Sequence, residues 1–189
     1  MRKLALIVLM GALIILSGCG GTYKTKFVHP DFDFSFMEKV AVVPFENLSN
    51  DQGAGARATR FFISTLLSSE AFWVMEPGEV TRSLGKQSLL RTAEMTEDQI
   101  KAVGLDLGVQ GLFLGSINES TTIRSGSTNI SVVTVIIRLV ETETGATVWS
   151  VTHSEDSSTF WSSLFGGGQK SISEVTRSCL DGCLDTLLD

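Results

Sequence analysis

Alternating runs of apolar and polar residues predict an α/β domain. Residues 39–47 form an apolar, β-branched run of the kind buried on both faces of a sheet, and Pro44 marks the exit of this strand. Residues 48–51 are typical of a turn and N-cap. Apolar residues recur at spacings of three and four through 54–69, which predicts a helix covering the sheet. Residues 72–75 predict a second strand.

Further helices and strands are predicted in the second half of the chain. Helical patterns return at 77–87 and 96–108, the latter opening with a capping box, and a short helix is expected around 89–94. Strands are predicted at 109–117, 130–141 and 146–153, with a hairpin turn at 143–145. The last predicted element is a helix with one apolar face, formed by Ile172, Val175, Cys179, Cys183 and Leu187.

The N-terminus has the pattern of an export signal. Two positive residues precede an apolar run at 4–16 and the small residues Ser17 and Gly18. The run is too short to span a bilayer comfortably, since a transmembrane helix needs roughly 20 apolar residues. Cys19 directly after Leu-Ser-Gly resembles the lipobox of bacterial lipoproteins, in which this cysteine is lipidated and becomes the first mature residue. An ordinary secretory signal with an incidental cysteine is the alternative.

This resemblance implies an organisation and a location. We expect a lipoprotein signal peptide at 1–18, the lipidated Cys19 and a tether at 19–37, and a single periplasmic domain at 38–189. In such lipoproteins an Asp after the cysteine usually retains the protein in the inner membrane. Gly20 and Gly21 stand there instead, which favours the periplasmic face of the outer membrane.

Composition narrows the classes of function. Cleavage after residue 18 leaves 171 of the 189 residues, the size of one domain, and removal of Arg2 and Lys3 takes the formal charge from −6 to −8. Nucleic-acid binding is excluded because there is no basic field. With only His29 and His153 in the chain and no Cys/His cluster, we expect no metal and no cofactor.

No combination of residues predicts catalysis, so we expect a protein that is not an enzyme. The carboxylates at turns and helix starts are typical of solvated or capping groups. Cys179 and Cys183 lie four residues apart on the apolar face of the last helix, where two buried thiols are expected. A disulfide to another chain is the alternative.

Residues 160–168 form an apolar loop that ends in three glycines. Its large side chains are candidates for a partner or membrane contact, because an exposed apolar patch on a soluble domain marks such a surface. They could instead fold back into the core. The four candidates are Phe160, Trp161, Leu164 and Phe165.

Three segments in order, 40–47, 111–117 and 136–149, carry a family resemblance. The chain resembles the curli secretion channel (CsgG-like) lipoprotein family and its relatives. These relatives include lipoprotein activators of peptidoglycan synthases and share a fold like the amino-terminal domain of TolB. The resemblance implies a three-layer α/β domain, a mixed sheet flanked by helices, with a β-hairpin and a C-terminal helix.

The resemblance leaves three functions open. The first is an outer-membrane-anchored periplasmic lipoprotein that acts by protein-protein contact in envelope assembly or secretion, with the membrane, other envelope proteins or its own copies as partners. The second is an activator of a peptidoglycan synthase. The third is a pore-forming channel subunit, which is disfavoured because segments 118–129 and 155–170 poorly fit the transmembrane hairpins of that family.

Overall fold

In the computed structural model, residues 23–89, 91–125, 128–158 and 170–188 are described. Within these ranges seven strands form one mixed sheet in the order β1-β7-β6-β5-β2-β4, with β3 also paired to β5. The strands are β1 (Tyr23–Val28), β2 (Lys39–Val42), β3 (Glu46–Asn47), β4 (Trp73–Val74), β5 (Gly111–Ser125), β6 (Thr128–Glu141) and β7 (Thr147–Asp156). The helices are α1 (Ala54–Ser69), α2 (Pro77–Lys86), α3 (Glu97–Leu107) and α4 (Ile172–Leu188).

One face of the sheet is covered by α1 and α4. Phe62 and Leu66 of α1 and Leu180 of α4 are completely buried against Phe113 and Trp149 of the sheet. The Trp149 indole Nε1 donates a hydrogen bond to Thr186 Oγ1 of α4 at 3.2 Å, which satisfies the one polar atom of this large side chain. This is the larger of the two cores.

The second face carries a smaller core under α2 and α3. Val80 of α2 and Ile100 and Val103 of α3 pack against Ala41 and Leu112 of the two central strands. No residue of β1 or β7 belongs to this core in the described chain. The predicted three-layer α/β architecture, with its hairpin and C-terminal helix, is confirmed.

Local signals determine most element boundaries. The capping box of α3 is confirmed, because Gln99 N donates to Thr96 Oγ1 at 3.4 Å and Thr96 N donates to Gln99 Oε1 at 2.9 Å. The hairpin turn places Gly145 at a φ of 81°, in the left-handed region that favours glycine. At α1 the N-cap is Gly53 and not a residue of the predicted turn; Asp51 accepts a hydrogen bond from Gly53 N at 3.2 Å.

The prediction of an irregular tether before residue 38 is wrong for residues 23–28. These residues form β1, which pairs antiparallel with β7 along its whole length. The strand lies at the edge of the sheet with all six residues exposed, so it lacks the apolar alternation that reveals a half-buried strand. Phe32 and Phe34 pack partly against the larger core, whereas Phe36 is 76% exposed.

Two further predictions differ from the structure. Residues 91–94 contain no helix. The strands on either side of residues 126–127 extend further than their apolar runs, because polar residues continue the β5–β6 ladder as far as the pair Ser125 and Thr128. We call this paired extension of the two strands the β5–β6 ribbon. Backbone hydrogen bonds hold it together beyond the point where the apolar pattern ends.

Candidate functional site

The residues to which the sequence assigned function lie outside the described residues. These are the lipidation site Cys19 and the contact candidates Phe160, Trp161, Leu164 and Phe165. Their roles stay predictions. The structure does place the described residues from which both segments depart, namely Tyr23 at the start of β1 and Ser158 just after β7.

Both points of departure lie at the same end of the sheet. Tyr23 pairs with Ser154 of β7, Ser154 pairs with Thr134 of β6, and Thr134 pairs with Glu119 of β5. We call this the Tyr23 end. The opposite end holds Val28, the start of β2 and the β6–β7 turn. The topology thus brings Tyr23 and Ser158, the described residues nearest in sequence to the predicted lipid site and the predicted contact loop, to one end of the sheet.

β1 is attached to α4 as well as to β7. Lys24 Nζ donates a hydrogen bond to the Gly182 carbonyl oxygen of α4 at 2.7 Å, and the His153 ring Nδ1 lies 3.2 Å from the Tyr23 carbonyl oxygen. At Gly182 a Cβ atom would lie 3.0 Å from His153 Nε2, so glycine permits this close approach. The first strand is therefore an integral part of the fold.

His153 is the buried titratable group of this attachment. Burial lowers the pKa of the imidazole below its usual value and the nearby Lys24 acts in the same direction, while the bond to Tyr23 and the carboxylate of Glu155 oppose them. His153 Nε2 lies 3.6 Å from the Glu155 carboxylate. The neutral imidazole is thus the form that fits the folded protein at neutral pH.

Cys179 and Cys183 are completely buried in the larger core, and neither is in a disulfide. The pKa of the Cys183 thiol is raised well above its usual range. The main cause is the neighbouring Cys179 side chain, and burial is the second. The prediction of two buried thiols is confirmed. The alternative of a disulfide to another chain stays a prediction, and the burial of both cysteines counts against it.

A cleft of about 480 Å³ lies beside this attachment and carries charges of both signs. Lys24 and Arg177 line it together with Glu155, Glu174 and Asp181. Within it the Ser178 hydroxyl donates a hydrogen bond to the Glu155 carboxylate at 3.2 Å. No group of three or more histidine, cysteine or acidic residues in the described ranges could hold a metal ion.

The opposite end carries a groove of about 430 Å³ with a mixed apolar and polar lining, which the sequence interpretation missed. Its apolar residues include Phe72, Leu187 and Trp73, of which Trp73 is 54% exposed, and its charged residues are Glu38 and Glu70. The Phe72-Trp73 pair was a signal for this surface, but its walls come from segments distant in sequence. None of the helices in the described part of the chain has the length and hydrophobicity needed to cross a bilayer.

Known structures with the same architecture define the class of fold. No protein-family model matches the chain, and no curated protein matches it in sequence. Among solved structures, the PelC dodecamer from Paraburkholderia phytofirmans is similar with a TM-score of 0.58 and 20% identity, over 88% of this chain and 96% of that chain. Lipoprotein GNA1162 from Neisseria meningitidis is similar with a TM-score of 0.58 and 15% identity, over 80% and 98% of the two chains.

The chain has the α/β fold of PelC and GNA1162. A third similarity, to the C-terminal domain of LpoB from Salmonella enterica, has a TM-score of 0.47 at 17% identity over 62% of this chain and 81% of that chain, which is too weak to support an argument. Membership of the curli secretion channel family stays a prediction.

Proposed function

We propose that the protein is an outer-membrane-anchored periplasmic lipoprotein that acts by protein-protein contact in envelope assembly or secretion. The observation that carries this proposal is the position of β1. The strand starts at Tyr23, with only three residues between it and Cys19, and is paired along its length with β7. A lipid on Cys19 would thus hold a folded domain directly at the membrane surface.

Similar folds support this class of function. GNA1162 is a lipoprotein, and PelC forms a dodecamer. We extend both properties to this chain as proposals, namely a lipid anchor on Cys19 and assembly into a homo-oligomer. The described residues offer no catalytic site that would favour an enzyme.

The position of β1 counts against the synthase-activator alternative. An activator anchored in the outer membrane must reach a synthase across the periplasm. With residues 23–28 in the sheet, only residues 20–22 remain as a connection, which spans roughly 10 Å at about 3.5 Å per residue. The folded domain itself would have to bridge the rest of the distance across the periplasm to the synthase.

The test of the proposal is replacement of Cys19. In Cys19→Ala we expect an uncleaved precursor, or protein lost from outer-membrane fractions, with no incorporation of radiolabelled palmitate. Ser17→Ala keeps a small residue before the cleavage site and the acceptor cysteine, so it serves as the matched control and should label like the wild type. Equal labelling and normal outer-membrane retention of Cys19→Ala would refute the lipoprotein proposal.

A further inference from the structure

The connection between Cys19 and the domain is short. Tyr23 is the first residue of β1, and four Cα steps lead back from it to Cys19. A fully extended chain covers at most about 3.5 Å per step, so the two residues lie within about 14 Å of each other. Acyl chains on Cys19 would enter the bilayer and keep Tyr23 within the same distance of the membrane boundary.

The β5–β6 ribbon projects beyond the other strands at the Tyr23 end. Thr134 lies in the same cross-strand row as Tyr23, whereas β7 ends at Asp156, opposite Val132. Four more residues along β6, from Thr134 to Ile130, extend the ribbon by about 13 Å at roughly 3.3 Å per residue. Ile130 therefore projects about as far beyond Tyr23 as the connection to Cys19 can stretch.

The projecting part of the ribbon is largely polar and carries one pair of isoleucines. Ile123 of β5 is 52% exposed and is paired directly with Ile130 of β6, which is half-buried. Tyr23 is 64% exposed and lies on the same face of the sheet, nearer the body of the domain, because Ile130 is an even number of residues from Thr134. An exposed isoleucine beside a membrane can bury its apolar side chain among the lipids.

We propose that the Tyr23 end rests on the lipid bilayer, with Ile123 and Ile130 of the projecting ribbon in contact with its surface. The inference rests on the proposed lipid at Cys19. When the strands stand upright, the connection reaches only about as far as the isoleucine pair, and the β5–β6 ladder continues past this pair to Ser125 and Thr128. An anchored domain therefore brings the ribbon against the membrane. The opposite end, with its groove around Trp73, then faces away from the membrane.

The orientation can be measured with a fluorophore at each end. Mature full-length protein carrying Ile123→Cys is labelled and reconstituted in vesicles of phosphatidylethanolamine and phosphatidylglycerol that contain a headgroup nitroxide quencher. Leu105→Cys is the matched control, since Leu105 of α3 is 87% exposed and follows Gly104, which packs on Thr142 beyond the far end of β6. Protein without either substitution reports background labelling of the buried Cys179 and Cys183.

We expect the label at position 123 to lose most of its emission to the lipid quencher and to be shielded from a water-soluble quencher. The label at 105 should show the reverse. Equal quenching of the two labels in vesicle-bound protein would overturn the proposed orientation but not the proposed lipid anchor. Shielding of position 123 from both quenchers would show that a second copy covers this surface, and would also refute it.

Flotation of the vesicles separates this inference from the proposed function. Wild-type protein should float with the vesicles while Cys19→Ala does not. If neither protein floats, the lipid anchor is absent and the proposed function fails together with the inference that rests on it.

Discussion

Gly55 lies where the first turn of α1 passes closest to the sheet. A Cβ atom there would be 2.6 Å from the Phe45 carbonyl oxygen, a backbone atom that cannot move aside cheaply. We expect Gly55→Ala to lower the free energy of unfolding by about 1–3 kcal/mol, the usual cost of an overpacked site. Urea denaturation followed by tryptophan fluorescence measures this change.

Gly85 of α2 provides a matched control for Gly55, because nothing lies within 4 Å of the Cβ that an alanine would add there. Gly85→Ala should be neutral or stabilise the protein by up to about 1 kcal/mol, since alanine favours the helix. Equal effects of the two substitutions would contradict the close contact at Gly55.

His153 should make the stability of the protein depend on pH below neutrality. Burial lowers its folded-state pKa beneath the unfolded value of 6.5, so between the two values the unfolded chain binds more protons. The contribution is therefore fully present above about pH 6.5 and is lost as the pH falls from there through the lower folded-state pKa. Urea midpoints between pH 7.5 and 5.5 should decline in the wild type and much less in His153→Gln.

The second histidine, His29, supplies the control for this pH dependence. His29→Gln should leave the decline unchanged, since this residue is only partly buried and lies in the loop after β1. If the urea midpoint still declines with pH in His153→Gln, titratable groups other than His153 cause the decline. The lowered pKa values of carboxylates such as Asp51 and Glu141 act at lower pH, where stability is lost as those groups become protonated.

The apolar residues of the 160–165 segment allow a further test at the residue scale. If they form a docking surface, replacing Phe160, Trp161, Leu164 and Phe165 by Ser should abolish self-association or partner capture and leave the melting temperature unchanged. If they fill the core, each Phe or Trp truncation should cost roughly 3–5 kcal/mol. Leu180→Ala, which empties a fully buried position of α4, is the control for core loss.

At the scale of the element, β1 can be tested by proteolysis. Trypsin should cleave slowly after Lys24 and Lys26 in the folded protein, because the backbone of both residues is paired with β7. We expect the same protection in lipidated protein and in any Cys19→Ala protein that is released. Mass spectrometry detects the cleavage products. If cleavage at these sites is as rapid as in urea-unfolded protein, residues 23–28 form a tether and not a strand.

The elements predicted from sequence are those whose residues carry their own signal. β2 and the helices α1 to α3 have apolar periodicities, and α3 also has its capping box. β1 has no such signal, since its stability comes from backbone pairing with a strand at the other end of the chain. The polar part of the β5–β6 ribbon was missed for a similar reason.

The site was less predictable than the fold. The lipobox and the apolar loop are local patterns, so the sequence could propose them. That Tyr23 and Ser154 lie side by side depends on strand order, and the groove around Trp73 combines three segments distant in sequence. Single-sequence patterns contain no information on such juxtapositions.

At the scale of the whole molecule, the homo-oligomer proposed above can be tested directly. A lipid on Cys19 would favour it by concentrating copies on one surface. Sedimentation velocity of the detergent-solubilised protein should show a species larger than the monomer. The serine variant of the 160–165 segment serves as the comparison, and a monomer in both proteins would contradict assembly.

The pairing of β1 with β7 also sets an order of events in time. If the chain is exported as proposed, residues 23–28 would cross the inner membrane well before residues 147–156, so this part of the sheet could not close until most of the domain had crossed. After closure, only three residues would separate Cys19 from a folded strand. The non-local pairing would therefore leave an interval in which the proposed acylation and cleavage could be completed before β1 is held in the sheet.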